Sequence, residues 1–143
     1  MKEPVELSVD ECLNLLANEV FGRLAVVGPS GPRIVPLNYA LVDGAIVLRT
    51  SPYSELAQHA VGKAAAFEID EVDHTRQTGW SVVAVGTLEE VEPADLENLR
   101  TAWGPQPWAG GQRNLYLRLR WREISGRRLF GSSIPVAPKR RVL

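Results

Sequence analysis

The segment VFGRLAVVGPSGPRIVPLNYALVDGAIVLRT, running from Val20 to Thr50, decides the fold. Its apolar residues recur with the short period of a strand, in three runs: Val20 to Gly28, Arg33 to Val42 and Ala45 to Thr50. Pro29-Ser30-Gly31-Pro32 separates the first two, and Asp43-Gly44, a dipeptide suited to a type I′ hairpin, separates the second pair. Three strands in close succession with such turns predict an antiparallel meander.

Upstream, Ser8 and Glu11 have the spacing of a capping box, with Leu7 and Cys12 placed as a hydrophobic staple. The helix they open runs to about Asn18, and Val9, Cys12, Leu13, Leu15 and Leu16 mark its core-facing stripe. Cys12 is therefore read as a packing residue and not as a nucleophile. It is the sole cysteine, which rules out an intrachain disulfide and argues against a thiolate metal site.

Downstream, Ser54 can cap a short helix from Glu55 to about Val61 that Gly62 closes. A fourth strand is expected from Ala64 to Asp70, a polar loop from Glu71 to Thr78, and a fifth strand from Trp80 to Val91 with Gly86 as a bulge. Pro93 suits the first turn of a third helix ending near Trp103. After the Gly/Pro loop Gly104 to Gly111, the sixth strand, Leu115 to Ile124, sets Leu115, Leu117, Leu119 and Trp121 on one face and Tyr116, Arg118, Arg120 and Arg122 on the other. Six strands with short helices between them favour a closed or nearly closed barrel over a sandwich, because closure removes exposed edges. The expected fold is thus mainly β with flanking helices: one domain over residues 1–130, then a flexible basic tail at 131–143.

Of the 143 residues, 45% are hydrophobic and 23% charged, as in an ordinary globular domain. A chain this short can bury one core but not a deep enclosed active site as well, so a site shared between two copies is expected. No apolar run is long enough to cross a membrane, and the acidic start at Met1 to Glu6 is unlike a leader, so a cytoplasmic protein is expected. From Arg113 onward nine Lys or Arg residues face one acid, Glu123. That stripe reads as a solvated strand face with a basic tail, as a nucleic-acid surface, or as arginines meeting a small phosphorylated ligand. Of these, nucleic acid is the reading not favoured.

The two histidines, His59 and His74, sit on different elements without a cysteine partner, so no metal site is expected. A nucleophile elbow, a Walker loop and a Rossmann glycine fingerprint are all missing. What remains is Arg49-Thr50-Ser51 at a strand end, followed by Ser54 at a helix start. Guanidinium, hydroxyls and free amides are groups that hold a phosphate, although an Arg-Thr pair at a strand end is also an ordinary surface feature.

Phe21-Gly22-Arg23-Leu24-Ala25, Pro36-Leu37-Asn38-Tyr39, Val47-Leu48-Arg49-Thr50, Phe67-Glu68-Ile69-Asp70, Gly79-Trp80-Ser81-Val82-Val83 and Ser125-Gly126-Arg127-Arg128 occur in that order. Together they resemble the pyridoxamine 5′-phosphate oxidase-like proteins of actinobacterial type. The resemblance implies a six-stranded antiparallel split β-barrel working as a homodimer, with FMN in a groove between subunits. It implies that Pro36, Leu37, Asn38 and Tyr39 run beside the flavin ring, and that Arg49, Thr50, Ser51 and Ser54 meet its phosphate. Trp80 and Ser81 would wall the site, although Asn38 could equally fill a barrel gap and Trp80 could equally pack at the rim. Many relatives carry lysine where this chain has Glu55, so the carboxylate is expected to oppose the phosphate and Glu55→Lys to strengthen FMN binding.

The expected activity is that of a flavin-dependent oxidoreductase passing a hydride or electrons between a reduced nicotinamide and a small organic acceptor. A non-catalytic flavin carrier or sensor and an F420-binding reductase are the alternatives on the same barrel. Trp103, Trp108, Tyr116 and Trp121 are candidates for burial between subunits.

Overall fold

The computed structural model describes residues 3–101 and 115–130. The first helix, α1 (Val9–Asn18), begins as its sequence requires: the Ser8 hydroxyl accepts the Glu11 N–H at 3.1 Å and donates to Glu11 Oε1 at 3.2 Å. Cys12 and Leu16 on α1 are fully buried, so the helix lies over the barrel by its apolar stripe. Burial together with the neighbouring Glu11 raises the Cys12 thiol above its ordinary value, in keeping with a packing role.

Strands β2 (Phe21–Gly28) and β3 (Gly31–Asn38) pair along their whole length, from Phe21↔Asn38 to Gly28↔Gly31. The run expected from Arg33 to Val42 is not one strand. It breaks at Tyr39 into β3 and β4 (Ala40–Val42), and β4 pairs with a different partner, β5 (Ala45–Thr50). Asp43 and Gly44, with φ of 49° and 72°, make the turn between β4 and β5 that a right-twisted hairpin needs.

A five-residue π-helical turn, Leu56–Ala60, stands where a short helix is expected. Beyond it, β6 (Ala64–Asp73) and β7 (Thr78–Glu90) form a hairpin whose pairing continues to Asp73↔Thr78. Half of the segment read as a loop from Glu71 to Thr78, Glu71 to Asp73 and Thr78, is therefore strand, and His74 to Gln77 make the turn. Its residues are exposed, so nothing in its polarity distinguishes it from a loop until the partner is known.

The helix α2 (Pro93–Thr101) follows, and the strand β8 (Leu115–Leu129) runs 15 residues, past the Ile124 end that alternation suggests. At its far end it pairs with β1 (Val5–Glu6), a strand not anticipated from sequence. The sheet order is β3-β2-β6-β7-β8-β5-β4, antiparallel throughout. Its two end strands, β3 and β4, are joined through Tyr39 alone, so the chain itself spans the seam of a split barrel.

The bulge expected at Gly86 is present: Val85 pairs with Glu123 but Gly86 pairs with Trp121, leaving Arg122 unopposed. A Cβ at Gly86 would come within 2.1 Å of the Arg120 carbonyl oxygen, which explains why a residue without one stands there. The bulge also switches the inward positions of β8. Leu117, Leu119 and Trp121 face the core before it, and Ile124 does so after it.

The core inside the barrel is built from Leu24, Ile46, Leu48, Phe67, Ile69 and Val82 with residues of α1. A second, smaller cluster outside it joins Val47, Val91, Leu99 and Tyr116 beneath α2. Tyr116 is thus covered within one chain, and Trp121 packs against the main core. Trp103, Trp108 and the tail at 131–143 lie outside the described residues, as does the end of the third helix near Trp103. Among the described residues no helix is long and apolar enough to cross a membrane.

Candidate functional site

Alternation along β2, β6, β7 and β8 carries charged and polar side chains to the outer face of the sheet. The Arg23 guanidinium there donates to Glu68 Oε1 at 2.9 Å and to Asp70 Oδ2 at 3.4 Å. Glu68 and Asp70 are two residues apart on β6 and so share one side of it. Partial burial, with Asp70 bonded beside it, pushes the Glu68 carboxyl up to about 7, against the opposing pull of Arg23.

The register extends this polar face. Asp70 lies opposite Ser81 and Ser81 opposite Arg127, while Glu68 lies opposite Val83 and Val83 opposite Ser125. At the sheet's end Pro36 pairs with Arg23 and Asn38 with Phe21, which sets both on the same outer face. The Asn38 amide donates to the Val20 carbonyl at 3.3 Å, fixing that side chain against β2.

Three of the other proposed contacts point inward. Tyr39 is 2% exposed, donates its hydroxyl to the Leu16 carbonyl at 2.5 Å and meets Phe67 edge-on with ring centroids 4.9 Å apart. Burial, with Glu19 nearby, raises its phenol well above the ordinary value. Leu37 packs against the core and Trp80 is buried in it at the start of β7. Only Pro36 and Asn38 of the four-residue stretch, and Ser81 of the Trp-Ser pair, are left on the outer face.

The residues read as a phosphate set lie elsewhere. Arg49 on β5 pairs with Tyr116 on β8, and its guanidinium stacks 5.2 Å from that ring's centroid. Thr50, 2% exposed, faces the core and so offers its backbone but not its hydroxyl. In the loop beyond, Ser51 Oγ accepts the Tyr53 N–H and Ser54 Oγ accepts the Ala57 N–H, each at 3.2 Å. Among the described residues neither hydroxyl donates its hydrogen, and Arg49, Ser51 and Ser54 are groups chemically suited to a phosphate. Glu55 does not simply oppose it: its carboxylate lies 3.6 Å from Arg33 Nε, over the β2–β3 turn.

A shallow concavity beside this loop is lined by Ser30, Tyr53, Glu55 and His59, and two others lie along β8. One of about 310 Å³ lies between α2 and β8, bounded by Val91, Pro93, Leu96 and Tyr116. The other, about 600 Å³, is an open groove beside β1, lined by Pro4, Glu6, Ser81, Val83, Ser125 and Arg127. The Arg23, Glu68 and Asp70 cluster was not singled out from sequence. The available signal was two carboxylates at i and i+2 in an otherwise apolar strand, which places both on one face.

Comparison with known proteins agrees with this architecture. A family model described as pyridoxamine 5′-phosphate oxidase matches residues 8–128. An uncharacterised protein of Mycobacterium tuberculosis is 37% identical over 95 residues, an alignment spanning 63% of this chain and 62% of that protein. Among solved structures, an FAD-binding protein from Mycobacterium smegmatis superposes with a TM-score of 0.74 at 27% identity, covering 90% of this chain and 99% of the other. A Corynebacterium glutamicum protein, provisionally described as a pyridoxamine 5′-phosphate oxidase, gives a TM-score of 0.77 at 28% identity, covering 94% and 99%.

Proposed function

Because the chain belongs to the pyridoxamine 5′-phosphate oxidase family, we propose that it binds FMN between two copies of itself and acts as a flavin-dependent oxidoreductase. The reaction is the passage of a hydride or electrons between a reduced nicotinamide and a small organic acceptor. Bound flavin supplies the redox chemistry, and the protein supplies binding, orientation and exclusion of water. Arg49, Ser51 and Ser54 hold the phosphate, while Pro36, Asn38 and Ser81 lie beside the ring.

The observation that carries this reading is the division of polar groups between the two ends of β8. Arg49 is paired with Tyr116 near one end and Ser81 with Arg127 near the other, eleven residues on. At roughly 3.3 Å per residue that is about 35 Å along the strand, more than one FMN can bridge. A second copy packed across the outer face would bring the two halves of the site together. The apolar residues Val27 and Ile34, 60% and 70% exposed on that face of β2 and β3, favour such packing.

Purified protein should be titrated with FMN, FAD and F420 while its visible spectrum and scattering mass are followed. The expected result is saturable flavin binding by a species of twice the 15.8 kDa chain mass. Absence of flavin binding would overturn the cofactor assignment, and a flavin-loaded monomer would overturn the shared site. Loaded protein that fails to oxidise reduced nicotinamide with any acceptor in a panel would leave a carrier and not an enzyme.

A further inference from the structure

In Ser125-Gly126-Arg127 of β8 the two outer side chains have no role in the core, and the flavin assignment gives neither of them a contact of its own. Gly126 faces inward, where a Cβ would stand 2.8 Å from Cys12 Sγ and 2.9 Å from the Ser81 carbonyl oxygen. That close approach seats β8 against α1 and turns the flanking side chains, Ser125 and Arg127, to the outer face. They meet Ser81 and Val83 across β7, and Glu6 across β1, around the 600 Å³ groove.

The arginines on this face are not equivalent. Arg23 is committed to two carboxylates, Glu68 and Asp70. Arg127 is placed directly opposite Glu6, yet among the described residues it forms no ion pair. The groove therefore offers an uncommitted guanidinium with two hydroxyls beside it, and an apolar wall at Val83 and Pro4. Guanidinium is the side-chain group best matched to a phosphate, because its planar fork can donate two parallel bonds. The volume falls within the range of small-molecule sites.

We propose that this groove is a phosphate-monoester site in which Arg127 takes the phosphate and Ser81 and Ser125 donate to its oxygens. The site is distinct from Arg49, Ser51 and Ser54 of the same chain; it shares Ser81 with the residues proposed beside the flavin ring, but its test with inorganic phosphate stands without bound flavin. Glu6 works against the bound anion and moderates its affinity.

The test is a titration of the full chain, labelled with nitrogen-15, by inorganic phosphate, FMN and riboflavin. Inorganic phosphate should shift the amides of Ser81, Ser125 and Arg127. Arg127→Ala should weaken it by at least about tenfold, Glu6→Gln should tighten it a few-fold, and Arg122→Ala at the bulge should leave it unchanged. If FMN displaces phosphate and riboflavin does not, the groove holds the phosphate of a flavin; if FMN and phosphate bind together, it serves another phosphorylated ligand. Either outcome upholds the site, and phosphate binding without any flavin binding upholds it while the flavin assignment fails. Shifts that map elsewhere, or equal phosphate affinity in wild type and Arg127→Ala, would overturn it.

Discussion

Arg33 on β3 and Glu55 at the head of the π-helical turn form an ion pair of 3.6 Å, which ties the β2–β3 hairpin to the segment following β5. From sequence, Glu55 is a carboxylate set against an incoming phosphate. In the structure it already has a cation and sits over Gly28, whose added Cβ would lie 3.0 Å from Glu55 Oε1. Both partners are about half exposed, so the pair itself contributes no more than about 1 kcal/mol.

Replacing Glu55 should accordingly change FMN affinity little. Glu55→Gln is expected to shift the dissociation constant by less than about threefold, under about 0.7 kcal/mol. The stronger binding that the sequence leads one to expect of Glu55→Lys is not expected either. Calorimetric titration of the three proteins decides it, and a tenfold gain in the lysine variant would show that the carboxylate does face the phosphate.

Arg49 is the strongest candidate for phosphate recognition in the β5 loop. Its stack on Tyr116 orients the guanidinium, and a charge-assisted bond to phosphate contributes on the order of 1.5–3 kcal/mol. Arg49→Ala should weaken FMN at least about tenfold and leave riboflavin nearly unaffected. Equal losses for both ligands would make Arg49 a structural residue.

The barrel was legible in the sequence wherever a local signal sufficed. Ser8 and Glu11 announce α1, Asp43-Gly44 announces a hairpin, and Gly86 announces the bulge, because each of those features is decided within a few residues. What was not legible depends on pairing partners far along the chain. The stretch Arg33 to Val42 alternates like one strand, and only the different partners of β3 and β4 show that the chain crosses the barrel seam at Tyr39. The same applies to the site: Pro36 to Asn38 and Trp80-Ser81 lie on strands as their alternation suggests, Tyr39 falls in the break between two, and which of them face outward follows from the register. Arg23, Glu68 and Asp70 come together only through the β2–β6 pairing of Arg23 with Glu68.

Tyr39 is expected to matter for stability and not for cofactor contact. Its buried hydroxyl satisfies the Leu16 carbonyl at the end of α1, and the phenylalanine variant would leave that acceptor unpaired. Tyr39→Phe should cost about 1–3 kcal/mol in denaturant unfolding. If unfolding is unchanged while flavin binding falls, the hydroxyl serves the cofactor and not the Leu16 carbonyl.

The Glu68 carboxyl, pushed up to about 7, makes stability depend on pH in a definite direction. In the unfolded chain a glutamate titrates at about 4.3, so between that value and about 7 the folded state holds a proton that the unfolded state has lost. Unfolding then releases protons in this window, and stability falls as pH rises through it. The origin is the shared position with Asp70: burial and the second carboxylate disfavour two charges there, and Arg23 offsets only part of that cost. Glu68→Gln keeps the shape and a hydrogen-bond donor toward Asp70 but removes the titration. Urea unfolding of wild type should show higher stability at pH 5 than at pH 8, and the glutamine variant should lose most of that slope while Arg23 still holds Asp70. Asp70→Asn should also flatten the slope, since it lowers the Glu68 carboxyl by removing the neighbouring charge. A wild-type protein that gains stability between pH 5 and pH 8, with a glutamine variant following the same curve, would show that Glu68 is ionised beside Arg23 throughout this range and that the pair with Asp70 holds no proton.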